Sequence, residues 1–270
     1  MKQVSTLATI AAAVSGAISA AIPPKPHLLA FSKTLGYRHE SIKNGIELVT
    51  SIADKNGWDI TASEDSAIFT NGSLSDYTTM VFLYTTGDFL VESEFDGLYD
   101  WLVSGGNWLG IHAAADFFNK TPPWYTNLVG GQFEFHPCSP EWTCSDEQKE
   151  RYPTGGNIRP DIMTVHDPTH RSTYRLPTSY NRTDEWYSYR QNVALDPEYT
   201  VLVTINETYI DDITPSYLSM KPVHPISWYH LFAGKARAWY TGMGHTVDSY
   251  SDEYFIDHVT GGLEWVVRGY

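Results

Sequence analysis

The chain has 270 residues, 42% of them hydrophobic, which is enough for one large domain or two small ones around a substantial core. Its formal net charge of −14 at pH 7 excludes a nucleic-acid backbone or an anionic membrane surface as natural partner, because both are bound through clustered Lys and Arg. A neutral ligand fits better, and the 9 Trp, 18 Tyr and 11 Phe suit stacking on sugar rings as well as filling a core.

Met1-Lys2 precede an uncharged run from Val4 to Ala21, rich in Ala and small polar residues and broken by Pro23, Pro24 and Pro26. The pattern predicts a secretory signal peptide over 1–21, cut after Ser19, Ala20 or Ala21, with 22–270 as a single domain. Its modest hydrophobicity favours removal over membrane anchoring. In a secreted protein the Asn-X-Ser/Thr triplets at Asn71, Asn119, Asn181 and Asn206 are candidate glycan acceptors. The oxidising compartment also favours a disulfide between Cys138 and Cys144 over two free thiols or a metal site.

His27–Ser32 reads as a strand, and Ile42, Ile46, Val49 and Ala53 as one face of a helix stopped by Gly57. Trp58–Ala62 is again extended, and Thr78–Thr85 has the β-branched and aromatic content of a strand buried on both faces. Phe95, Leu98, Leu102 and Val103 mark a second helix closing at Gly105-Gly106, followed by a strand over Asn107–Ile111. This alternation predicts βαβ units in a doubly wound, mostly parallel α/β sheet. Beyond Pro122-Pro123 the pattern loosens into loops at Cys138–Gly156 and Ile210–Lys221. Extended runs follow at Asp161–Val165, Trp186–Arg190 and Thr200–Ile205, two strands about Ala233-Gly234, and a closing helix through Phe255, Val259, Leu263 and Val266.

Three strand-to-helix junctions carry reactive groups: His39 with Glu40, then Asp88, then His112 with Asp116. Parallel strands share a direction, so these junctions share the carboxyl edge of the sheet, where ligands bind in such folds. Each could equally be a helix cap or a loop residue. His136, Asp184-Glu185, His224 and His245 add further groups, and two chemistries are open: proton transfer near neutral pH, or a divalent metal held by imidazoles and a carboxylate. No short metal signature is present, so a metal site must be assembled from distant segments. His112 stands where a nucleophile elbow carries Ser or Cys, which argues against covalent catalysis, and the glycines form no dinucleotide or phosphate loop.

The ordered series Arg38-His39-Glu40-Ser41-Ile42, Thr85-Thr86-Gly87-Asp88, Gly110-Ile111-His112-Ala113-Ala114-Ala115-Asp116, Gly130-Gly131-Gln132-Phe133 with His136-Pro137, Asp184-Glu185-Trp186-Tyr187, His224-Pro225-Ile226-Ser227-Trp228 and Ala238-Trp239-Tyr240-Thr241-Gly242-Met243-Gly244-His245 resembles the ThuA-like family, named for trehalose utilisation. The likeness runs from about Leu28 to Trp265. It implies a class I glutamine amidotransferase-like (flavodoxin-like) α/β fold, with helices on both faces of the sheet and a β-rich C-terminal elaboration. It also implies a link to disaccharides or keto-sugars. It does not imply amidotransferase activity, since His112 replaces the cysteine of the wider fold.

The expectation is a secreted carbohydrate-active enzyme, either isomerase, lyase or hydrolase, with a non-catalytic sugar-binding protein or a metal-dependent hydrolase as alternatives. His112 and His39 would exchange protons while Asp88 and Glu185 orient or polarise them. Trp186 or Trp228 would stack on the sugar, and Asp116, His136, Tyr187 and His224 would complete the binding set. The cofactor in view is zinc or manganese on His245 and His112, and the partner is a small carbohydrate, with a homo-oligomer left open.

Overall fold

The computed structural model describes residues 25–118, 120–138, 144–152, 155–211, 213 and 218–270. The expected signal peptide and the Asn119 sequon lie outside them.

The strands are β1 (His27–Phe31), β2 (Asp59–Ser63), β3 (Thr79–Leu83), β4 (Asn107–Ile111), β5 (Phe133–Phe135), β6 (Ile158–Val165), β7 (Ser179–Glu185), β8 (Ser188–Tyr189), β9 (Thr200–Ile205), β10 (His224–Phe232) and β11 (Ala236–Thr241). The helices are α1 (Ile42–Asn56), α2 (Glu92–Ser104), α3 (Pro123–Val129), α4 (Asp146–Arg151) and α5 (Glu253–Arg268). Nine strands form one mixed sheet in the order β2-β1-β3-β4-β11-β10-β9-β6-β7, and β5 pairs with β8 in a separate ribbon. The first five strands in that order are parallel, and the remainder pair antiparallel.

The α/β reading holds, for local reasons. Ile42, Val49, Ile52 and Ala53 give α1 a buried stripe, and Gly57 ends it in the left-handed region at φ 72°. Every residue of β3 and β4 is buried, as expected of strands covered on both faces. Phe82 packs on Tyr125 of α3, whereas Trp239 packs on His258 of α5, so helices cover both faces. Each fully buried Phe or Leu of this core contributes about 2 kcal/mol by removal from water.

Two features position the site. The chain leaves β1 toward β2 on one side and returns to β3 on the other, which opens a crevice at the carboxyl ends of the parallel strands. The antiparallel half also curls back over this edge. Tyr180 of β7 meets Tyr254 of α5 at 5.1 Å between ring centroids, and the Arg182 guanidinium lies 4.9 Å from the Phe255 ring centre. The end of β7, an edge strand in the hydrogen-bonding order, is thereby carried to the crevice.

Candidate active site

His39 follows β1, His112 follows β4, His245 follows β11 and Glu185 ends β7. One ligand atom from each lies within 4.8 Å of all the others. The Glu185 carboxylate is the hub. Its Oε2 is 3.0 Å from His245 Nδ1 and 3.3 Å from His112 Nε2, while Oε1 accepts from Asn157 Nδ2 at 2.6 Å and faces His136 Nε2 at 3.6 Å.

Backbone and buried polar groups hold this arrangement. His112 has φ 51°, which turns the chain sharply off β4 into a 3-10 turn over His112–Ala115. Its Nδ1 donates to the Gly242 carbonyl at 2.7 Å, so Nε2 presents a lone pair to the cluster. Tyr84, at φ 57°, points its ring between His39 and His112 and donates from its hydroxyl to the Gly244 carbonyl at 2.6 Å. Asp184, fully buried, accepts from the backbone N–H of both Glu185 and His245 at 3.0 Å and from Gly244 at 2.8 Å. Arg182 balances its charge through Nη2 at 2.9 Å.

Burial, reinforced by the His112 and His245 rings, drives His39 down to about 2, and its buried Nδ1 has no hydrogen-bond partner. It is therefore a neutral imidazole with a free nitrogen. Burial pushes the Glu185 carboxyl up, but the neighbouring His136, His112 and His245 rings outweigh this and hold it well below the usual carboxylate range. Burial lowers His245, yet Glu185 and Asp184 together raise it above an ordinary histidine. Three imidazoles and an ionised carboxylate are a donor set for zinc or manganese, and a neutral His39 with a ring nitrogen in the cluster fits such an ion.

Above the cluster lies a cavity of about 570 Å³. His39, Glu185 and His245 line its floor, Asp116, His136 and Tyr187 its wall, and Tyr37 and Phe118 are exposed at its rim. Asp116, Tyr187 and His136, expected in the binding set, line this cavity.

Four expectations need correction. Asp88 does not join the cluster: the chain turns at Tyr84, Thr86 bridges to Thr34 and Asp116, and Asp88 lies instead 3.6 Å from Lys120. Trp186 is wholly buried and donates to the Arg159 carbonyl, and Trp228 is buried against the Val129 carbonyl, so neither stacks on a ligand. His224 is buried between Glu207 and the Tyr187 carbonyl at 2.9 and 2.8 Å, where it braces a loop. Tyr37, Phe117, Phe118, Phe133 and Tyr187 line the cavity instead.

Tyr84, Asn157 and Asp184 were not foreseen as site residues. Tyr84 hides within a strand-like run, Asn157 has no motif of its own, and only the adjacency of Asp184 to Glu185 offered a signal. The disulfide between Cys138 and Cys144 is formed, and it packs against the buried Arg159. Asn71, Asn181 and Asn206 are exposed.

The family model described as ThuA, trehalose utilisation, matches residues 27–266. Among solved structures, a ThuA-like protein from Bacteroides uniformis ATCC 8492 superposes with a TM-score of 0.71 at 20% identity, over 93% of this chain and 96% of that one. Another from Parabacteroides merdae ATCC 43184 gives 0.65 at 18% identity, covering 91% of each chain. No curated protein sequence matches. The likeness to these structures carries the fold alone, but the family model spans almost all the described residues, and the chain belongs to the ThuA family.

Proposed function

We propose that this protein is a carbohydrate-active enzyme that holds a divalent metal, zinc or manganese, at His39, His112, Glu185 and His245 and acts on a neutral sugar, glycoside or keto-sugar in the cavity above. The observation that carries this reading is the meeting of the His112 Nε2 lone pair, a ring nitrogen of the neutral His39 and the ionised Glu185 carboxylate within 4.8 Å of one another. Such a meeting of electron-rich atoms is unfavourable unless a cation or a shared proton lies among them. A divalent ion would polarise a carbonyl or hydroxyl oxygen of the sugar.

The remaining roles belong to the chain. Gly242 fixes the His112 tautomer, Asp184 holds the backbones of Glu185 and His245, and Asn157 and His136 steady the second Glu185 oxygen. Tyr37 and Phe118 offer apolar faces to a sugar ring, while Gln132 and Arg190 offer polar contacts to hydroxyl groups. The family description, trehalose utilisation, supports a sugar.

The test is metal content of the tag-free protein, with sugar binding followed by calorimetry. One divalent ion per chain, lost in His112→Ala, supports the reading. A metal-free protein that still turns over sugar would return the chemistry to the His245–Glu185 ion pair, and a metal-free protein that only binds sugar would make it a binding protein.

Secretion forms part of the proposal. It is supported by the Val4–Ala21 run, the disulfide and the exposed sequons at Asn71, Asn181 and Asn206. N-terminal sequencing of protein from the medium should begin after Ser19, Ala20 or Ala21.

A further inference from the structure

The two cavity carboxyl groups live in opposite surroundings. Glu185 is saturated: His112, His245, Asn157 and His136 all engage it. Asp116 lines the same cavity, and its carboxyl makes no hydrogen bond or ion pair among the described residues. Its backbone, by contrast, is pinned: its N–H donates to Ala113 at 2.9 Å, its carbonyl accepts from Gly87 at 2.9 Å, and it closes the 3-10 turn that His112 opens.

We propose that Asp116 is the catalytic acid–base, moving a proton between the substrate and its own carboxyl oxygen, while Glu185 serves only as the charged hub of the cluster. This rests on the sugar reading above. A largely buried carboxyl left without a partner, on a rigid turn, in the wall of a ligand cavity, is completed by a group that arrives with the ligand. The contrast with Glu185 is that of two carboxyls given separate jobs by their environments. Burial raises Asp116 to about 6, with His136 opposing and Glu185 assisting, so near neutral pH it can both accept a proton and return one.

For a keto-sugar the step balances without a co-reactant. The Asp116 carboxylate takes the proton from the carbon beside the carbonyl. The C–H electron pair forms a carbon–carbon double bond, and the carbonyl π pair moves onto oxygen, giving an enediolate. The proton on the adjacent hydroxyl passes to the oxygen that gained charge while protonated Asp116 returns its proton to the former carbonyl carbon, so the double-bond pair forms the new C–H bond, a carbonyl forms at the carbon that lost its proton, and an isomer results. His245 lines the same cavity, and its Nε2 makes no hydrogen bond among the described residues, which leaves it to the oxygen that gains charge.

The test uses methyl 3-ketoglucopyranoside as probe in D2O, with deuterium entry beside the carbonyl read by NMR, probe affinity by calorimetry and metal content measured in parallel. Wild type should bind the probe and incorporate deuterium. Asp116→Asn should slow exchange by about 10²- to 10⁴-fold while keeping metal and probe affinity, and Asp116→Glu should recover part of the rate. An Asp116→Asn variant that exchanges at the wild-type rate, or a wild type that binds the probe without exchange, overturns the proposal and leaves the sugar reading standing. A wild type that does not bind the probe overturns the sugar reading, and this proposal falls with it.

Discussion

The Nδ1 of His112 lies 2.7 Å from the carbonyl oxygen of Gly242, the residue directly after β11. That bond consumes the ring's proton and turns the lone pair of its other nitrogen toward His245 Nδ1 and the Glu185 carboxylate. His112→Asn, which tolerates the positive φ, should therefore weaken divalent-metal binding by more than about 100-fold while leaving the circular dichroism unchanged. Competition with a chromogenic chelator measures the affinity, and full retention of metal would remove His112 from the ligand set.

Asp184 is a structural pivot as well as a neighbour of the site. Replacing it with Leu would leave the buried Arg182 guanidinium only the more exposed Asp252 as counter-ion and free three backbone N–H groups. Breaking a buried pair in this way costs about 3–5 kcal/mol, so urea unfolding of Asp184→Leu should shift to a clearly lower midpoint. Asp184→Asn, which keeps one acceptor oxygen, should fall between the two.

Acid should destabilise the fold through buried histidines remote from the cavity. Burial brings His258 down to about 3, although its Nδ1 donates to Ser172. An unfolded histidine titrates near 6.5, so the unfolded chain binds the extra proton first. Stability is complete above about pH 6.5 and falls as pH drops toward 3, by about 1.4 kcal/mol per unit for this one group. His258→Gln should flatten that slope in chemical-denaturation curves taken between pH 4 and 7.

The Cys138–Cys144 link closes a short loop beside the segment that supplies His136 and Asn157 to Glu185. Replacing both cysteines by Ser should cost about 2 kcal/mol of stability from the released loop. Turnover should drop at unchanged metal content, because Asn157 and His136 lose their tether. Melting temperature and metal stoichiometry measured together separate the two effects.

Much of this molecule was legible in the sequence where burial is one-sided or complete. Asn107–Ile111 and Thr200–Ile205 are strands with the predicted bounds, and the stripes of α1 and α5 follow from spacing alone. β7 escaped because its buried positions are Arg182, Asp184 and Glu185, so the alternation that marks a strand is written in charges. At the site, His39, His112 and Glu185 came from their places after strands or in a motif. The Trp186 and Trp228 indoles misled because a tryptophan that can serve a sugar serves a core equally well, and only depth distinguishes the uses. Asp88 misled because the turn at Tyr84 moves the chain away from the crevice.

The curl that brings β7 over the parallel strands has a consequence for how the site is lost. Three histidines come from segments of the parallel half, but the carboxylate that joins them arrives on an antiparallel edge strand, and its anchor Asp184 grips the His245 segment from the same strand. A chain whose parallel strands are paired but whose β7 edge is undocked carries three imidazoles without the Glu185 carboxylate that joins them. The site is complete only while β7 is docked, and a protein that unravels from this edge loses Glu185 while its parallel strands stay paired.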